Sequence, residues 1–277
     1  MKKILKIISI SLFTLFSFYY TEKIIDLSKE KDPIMMKIKE AKKEKEIEPV
    51  NAIVTENTIL VGKSGKKINV ETSYEKMKKI KEYNEQLLEY INIKPTITKE
   101  RNYEKLITGT NTNKKEISII FQTNDINYID QIKYVLNKNS VKGTFFIDGK
   151  VIENNFEYMK SLFNNNLSIG IYSYNNIFNN TSVKYVKTLS LNSMNYSNYC
   201  LYENEEFLNA CKYFKINTIK PELITKNLYN YLKNNKENGK IYQIKTTKQN
   251  IKELNSTLIY LKQKGYKIIS LDDLLQQ

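Results

Sequence analysis

From residue 114 to the end, short apolar runs are each followed by a stretch in which apolar residues recur at helical spacing. The runs at 117–121, 141–147, 167–172, 216–219, 241–244 and 266–269 read as strands. The spacing predicts helices over 126–136, 151–163, 182–191, 223–232 and 251–262, with a terminal apolar turn at 271–275. Strands alternating with helices imply parallel pairing, with the helices laid over the sheet. Closed into a barrel, such a repeat gathers functional residues at the C-terminal ends of its strands.

The earlier part has a different rhythm. Residues 58–61 and 67–70 are apolar runs joined by Gly62-Lys63-Ser64-Gly65, the pattern of a hairpin with a tight loop. Thr72 and Glu75 then have capping-box spacing, and Met77, Ile80, Leu87, Leu88 and Ile91 recur as a helical stripe. Residues 51–113 are expected to form a small α+β accessory unit, and 114–277 the main domain.

At the start, Lys2, Lys3 and Lys6 precede an uncharged stretch over 7–20. That length suits a signal-peptide core, but Phe18, Tyr19 and Tyr20 are not the small residues a signal peptidase needs. With Lys6 snorkelling, 4–20 reaches the lower limit for a spanning helix. The expectation is an uncleaved membrane helix over 1–20, a cleaved signal being the alternative. The flanking lysines would stay inside, giving a single-pass cell-membrane protein with its C-terminal domain outside. Residues 21–50 are charge-balanced and read as a charged linker or stalk, with Asp32-Pro33 as a helix start.

Composition changes this picture in two ways. The net charge is +14, and on an exported chain it would attract acidic envelope polymers or glycans, not nucleic acid. There is also no histidine in 277 residues, which removes the common neutral-pH acid/base and the commonest metal ligand. The two cysteines, Cys200 and Cys211, suit a disulfide in an exported chain; two buried thiols are the alternative.

Gly143-Thr-Phe-Phe-Ile-Asp-Gly149 resembles the second-strand signature of the polysaccharide deacetylases (NodB homology family). The closing 264–274 segment, Lys-Gly-Tyr-Lys-Ile-Ile-Ser-Leu-Asp-Asp-Leu, is similar to that family's last strand and helix. The resemblance covers residues 114–277 and implies a distorted, incomplete (β/α) barrel. The family removes acetyl groups from glycans with a divalent metal, usually zinc, an aspartate base and a histidine acid. Here Gln122 stands at the base position and Thr123 at a metal-ligand position. Tyr172 and Asn176 replace the histidine pair, Tyr199 and Tyr202 lie in the arginine–proline segment, and Lys245 falls on the late histidine motif. No imidazole exists to shift into register, so the metal is expected to be lost.

These seven positions are candidates for a glycan-binding groove, with Tyr174 and Tyr196 near its mouth. A weak oxygen-ligand site for Mg²⁺ or Ca²⁺ from Asn124, Asp125 and Asp148 is the alternative to plain turn and cap chemistry there. The implied function is a non-catalytic, glycan-binding, deacetylase-like protein of the cell envelope. Two alternatives stand beside it. One is an active deacetylase with a non-standard site. The other is a surface scaffold for anionic polymers or envelope proteins, with 51–113 as the binding unit.

Overall fold

The computed structural model describes residues 2–163, 166–191 and 193–277. The chain divides into two compact units, residues 1–48 with 65–93 and residues 49–64 with 94–277.

The smaller unit begins with α1 (Lys2–Glu30) and α2 (Pro33–Lys45). Asp32 caps α2, its carboxylate accepting from the Ile34 amide at 2.8 Å, and Pro33 supplies the preset first turn. Met35, Ile38 and Ala41 form its buried stripe, so residues 33–45 are not a linker but a helix packed into this unit. The chain then passes through β1 (Ile53–Val54) and β2 (Thr58–Val61), which belong to the larger unit. It returns with β3 (Gly65–Ile68), α3 (Val70–Ile80) and β4 (Tyr90–Ile93).

The 58–70 hairpin does not form. β3 pairs antiparallel with β4, while β2 pairs with β1 and, in parallel, with a later strand. Asn69, not Thr72, caps α3, and the helix stops at Lys81 in the left-handed region (φ 57°). The stripe past Ile80 therefore breaks, and Ile91 lies in a strand. Residues 51–113 are divided between the units instead of forming one.

The expected membrane helix is also corrected. α1 is one 29-residue helix that runs on past the uncharged stretch through Lys23 and Lys29. Among the described residues no helix is long and apolar enough to cross a membrane, which takes about 20 consecutive apolar residues. The side chains of residues 2–10, where the flanking lysines fall, lie outside the described set. The single-pass placement, the outward-facing domain and the membrane as partner fall with the helix.

In the larger unit β5 (Leu106–Thr110) is followed by alternating strands and helices. The strands are β6 (Glu116–Gln122), β7 (Gly143–Phe146), β8 (Leu167–Ile171), β9 (Tyr196–Leu201), β10 (Asn217–Ile219), β11 (Glu222–Ile224), β12 (Ile241–Lys245) and β13 (Lys267–Ile268). The helices are α4 (Ile126–Lys138), α5 (Gly149–Asn154), α6 (Phe156–Leu162), α7 (Asn180–Leu191), α8 (Glu205–Tyr213), α9 (Leu228–Asn235), α10 (Lys248–Gln263) and α11 (Leu271–Leu274). Strand order is β1-β2-β5-β10-β9-β8-β7-β6-β12-β11, parallel except for β1, with β13 added to β6. β1 and β11 do not pair with each other, so the barrel is open and distorted. Residues 223–224, expected in a helix, form the edge strand β11, and α9 starts only at Leu228.

Alternation along each strand separates two cores. Ile117, Ile119 and Phe121 of β6 join the cluster shared with the helices, while Ile120 joins the inner cluster with Phe146, Tyr172, Tyr199 and Leu201. Leu271, Leu274 and Leu275 complete that inner cluster. Lys142, just ahead of β7, pairs with Asp273 at 3.2 Å, which places α11 at the N-terminal ends of the strands. Lys63 Nζ donates to the Leu274 carbonyl at 2.6 Å, Thr110 Oγ1 to the same carbonyl at 2.7 Å, and Lys99 to that of Leu275. Burial lowers the pKa of both lysines. One end of the barrel is thus plugged, and the opposite rim carries the site.

Cys200 of β9 and Cys211 of α8 are joined by a disulfide, with Cα atoms 6.5 Å apart, inside the sheet–helix core. Replacing both by serine is expected to lower stability by about 3 kcal/mol through restored loop entropy in the unfolded chain. Urea unfolding checks this. An unchanged midpoint would show that the crosslink only follows the packing.

Candidate functional site at the strand ends

The C-terminal ends of β8, β7, β6 and β12 lie side by side, as the registers Phe146↔Gly170, Gln122↔Phe146 and Lys245↔Gln122 show. Gln122, Thr123, Tyr172, Asn176 and Lys245 therefore share one rim. Gln122 is half-buried, Thr123 is buried, and Lys245 and Asn176 are exposed.

The rim is organised by Asp148, which is buried at the end of β7. As the cap of α5, its Oδ1 accepts from the Lys150 amide at 2.8 Å and also from the Asn175 amide at 2.9 Å. Oδ2 accepts from the Asn176 amide at 2.9 Å and from the Ser173 hydroxyl. The Asn124 side-chain oxygen in turn accepts from the Asp148 amide at 2.9 Å. Burial pushes the Asp148 carboxyl up, but the Asn176 amide, the Ser173 hydroxyl and the Lys150 and Asn175 amides outweigh it and hold it below the usual range.

The loop that donates these bonds is a two-residue turn. Tyr174 and Ile177 exchange backbone bonds of 3.1 and 3.0 Å across Asn175 and Asn176, which have φ of 53° and 57°. Two consecutive left-handed residues make a type I′ turn, and asparagine tolerates that conformation well. Asn176 thus has a backbone role, and its amide faces Asp148.

Tyr172 is 8% exposed and Tyr199 6%, both inside the barrel. Neither ring is available as a stacking surface, contrary to their place in the expected groove. Tyr172 donates to Glu203 at 3.0 Å and meets Phe178 edge-on; burial and the neighbouring carboxylate raise its pKa, so it stays a phenol. The Lys99 ammonium sits 5.7 Å from the Tyr199 ring centroid. Tyr202 is directed away to Glu205 (2.9 Å), with Lys220 over its ring. Tyr174 and Tyr185 donate to Glu153, and Lys150 first, then Tyr185 and Tyr174, lower that carboxyl to about 2.

Beside the rim lies an open depression of ≈ 640 Å³, lined by Gln122, Thr123, Asn124, Asp125, Tyr128 and Thr246 among others. Tyr128 and Thr246 escape a motif-based reading, because nothing in their local pattern distinguishes them from ordinary helix and loop residues. Asp125 caps α4, its side chain accepting from the Asn127 amide at 2.9 Å. Asn124, Asp125 and Asp148 are thus engaged as turn and cap residues.

A divalent metal does not fit this donor set. The rim offers an amide, a hydroxyl, a phenol and an ammonium at the motif positions, and both oxygens of its buried carboxylate are already engaged. Among the described residues no group of three or more His, Cys, Asp or Glu side chains could hold a metal ion.

Residues 109–203 match the model of the polysaccharide deacetylase family. The uncharacterized protein YlxY of Bacillus subtilis (strain 168) is 29% identical over 153 residues, 54% of this chain; the match spans 48% of that relative's length. Among solved structures, wild-type BA3943 of Bacillus anthracis, described as a CE4 family pseudoenzyme, has a TM-score of 0.66 at 22% identity, covering 87% of this chain and 94% of that one. PdaA of Bacillus subtilis, a family 4 carbohydrate esterase, has a TM-score of 0.52 at 19% identity, covering 82% and 97%. These structural likenesses establish the shared fold.

Proposed function

We propose that this chain, whose residues 109–203 match the polysaccharide deacetylase model, serves cell-envelope carbohydrate metabolism by binding glycan without deacetylating it. The observation that carries this reading is the full engagement of Asp148. Its four donors come from the chain's own 150 and 173–176 segments, so the rim's buried negative charge is balanced without a cation.

The chemistry of the other positions supports the same reading. Gln122 offers an amide where a base would act, and an amide has no basic site at neutral pH. Thr123 is a neutral hydroxyl, and Tyr172 is a phenol locked onto Glu203. What is left exposed is suited to binding: amide, hydroxyl and tyrosine groups around an open depression can exchange hydrogen bonds with sugar hydroxyls. BA3943, which shares the fold, is itself described as a pseudoenzyme.

Acetate release from N-acetylated peptidoglycan and chitooligosaccharides tests the proposal, with chelator and with added zinc. The expected result is no release above the protein-free control under either condition. Zinc-dependent release that disappears in Gln122→Ala would overturn the assignment.

A further inference from the structure

A cleft of ≈ 420 Å³ that shares no lining residue with the strand-end depression lies between α7 and α8. Its walls are Asn179, Asn180 and Thr181 on one side and Glu206, Asn209 and Tyr213 on the other, over buried Ala210. Glu206, Asn209 and Tyr213 fall at i, i+3 and i+7, so α8 presents them on one face. These polar groups face another helix without engaging it. Among the described residues, the side chains of Asn180, Thr181, Glu206, Asn209 and Tyr213 make no hydrogen bond and no ion pair.

Tyr213 differs from five tyrosines of this half of the chain in having no carboxylate on its hydroxyl. The hydroxyls of Tyr172, Tyr174, Tyr185, Tyr202 and Tyr231 are committed to carboxylates. Tyr213 has no such partner and is 72% exposed, in contact with Phe214 at 5.0 Å between ring centroids. The helix that carries it is anchored, because Cys211 two residues earlier ties α8 to β9.

A free aromatic ring beside unspent amides, a hydroxyl and one carboxylate suits a ligand with an apolar ring face and many hydroxyls. The lining contains no lysine or arginine in a chain that has 44 of them, which disfavours a polyanion. We propose that the α7–α8 cleft binds a neutral saccharide, one sugar ring lying against Tyr213 and its hydroxyls meeting Asn180, Asn209 and Glu206. This site is separate from the strand-end rim and stands or falls independently of it.

Fluorine NMR of the full chain labelled with 3-fluorotyrosine tests both sites at once. Tyr213→Phe identifies the cleft signal and Tyr128→Phe the rim signal. Chitotetraose, cellotetraose and xylotetraose are titrated in turn, with polyglutamate as the anionic control. A saturable shift of the Tyr213 signal with at least one oligosaccharide is expected, weakened at least tenfold by Asn209→Ala without a change in melting temperature. If only Tyr128 moves, the cleft proposal fails and the rim reading survives. If polyglutamate moves Tyr213 as strongly as the saccharides do, the ligand class is wrong. Silence of Tyr213 with all three oligosaccharides also overturns the proposal.

Discussion

Asp148→Ala is expected to lower the melting temperature by about 6–12 °C. The substitution removes one buried acceptor group and strands three backbone amides and a hydroxyl that had no other partner. Net losses of about 1.5–3 kcal/mol per hydrogen bond to a charged group are not additive, so a total of about 3 kcal/mol is a conservative figure. For a unit of this size each kcal/mol shifts the midpoint by about 2–4 °C. Asp148→Asn should also destabilise, because its NH₂ would face donors where the carboxylate accepts.

The pH dependence has a definite sign. Opposing the upward push of burial, its donors leave the folded carboxyl below its unfolded value. The stabilisation is therefore complete above the unfolded value of about 3.9 and is lost as pH falls through the lower folded value. Wild type and Asp148→Ala should differ by a constant amount from neutral pH down to about pH 5 and converge below about pH 4. Thermal melts of both proteins across that range measure it. A gap that stays constant into strong acid would mean that the carboxylate charge contributes nothing to holding the 173–176 turn.

Gly170→Ala is expected to cost about 3 kcal/mol, the upper part of the range for overpacking a close-packed core. A Cβ at Gly170 would lie 2.3 Å from Cε1 and 2.7 Å from Cζ of Phe146, its cross-strand neighbour. Phe146 is fully buried among Ile120, Tyr172 and Tyr199, so its ring can move only by displacing them. Shortening the ring should relieve the clash, so Gly170→Ala with Phe146→Leu is expected to lose less than the two single changes together, by at least about 1 kcal/mol. Urea unfolding of the four proteins closes the cycle. Additive losses would show that the lumen has slack. A filled lumen is the reason that the rim opens onto a shallow depression and not a deep pocket.

Much of the main domain can be read from the residues in order. The mainly apolar runs of β6, β7, β8 and β12, interrupted only by single small or polar residues, suit a parallel sheet buried on both faces, and they stand where the sequence pattern puts them. The absence of any histidine is likewise a fact of sequence. Asn175-Asn176 was legible too, since paired asparagines suit two left-handed residues, although alignment to a histidine motif hides that signal.

Other features depended on contacts between distant parts of the chain. An apolar run records which face is buried but not which strand lies beside it; hence 58–61 and 67–70 look like one hairpin, whereas the strands that form, 58–61 and 65–68, belong to different units. An uncharged stretch near the N-terminus invites a membrane reading, but the helix it forms continues into charged turns. Tyr172 and Tyr199 look like groove residues until the inner cluster closes around them. Sequence alone determined that this chain has no histidine and carries Gln and Thr, not acids, at 122 and 123. Only the tertiary structure decided what its remaining buried acid does, because a carboxylate is free or engaged according to the donors folded around it, and those of Asp148 come from its own helix start and from a turn 25 to 28 residues away.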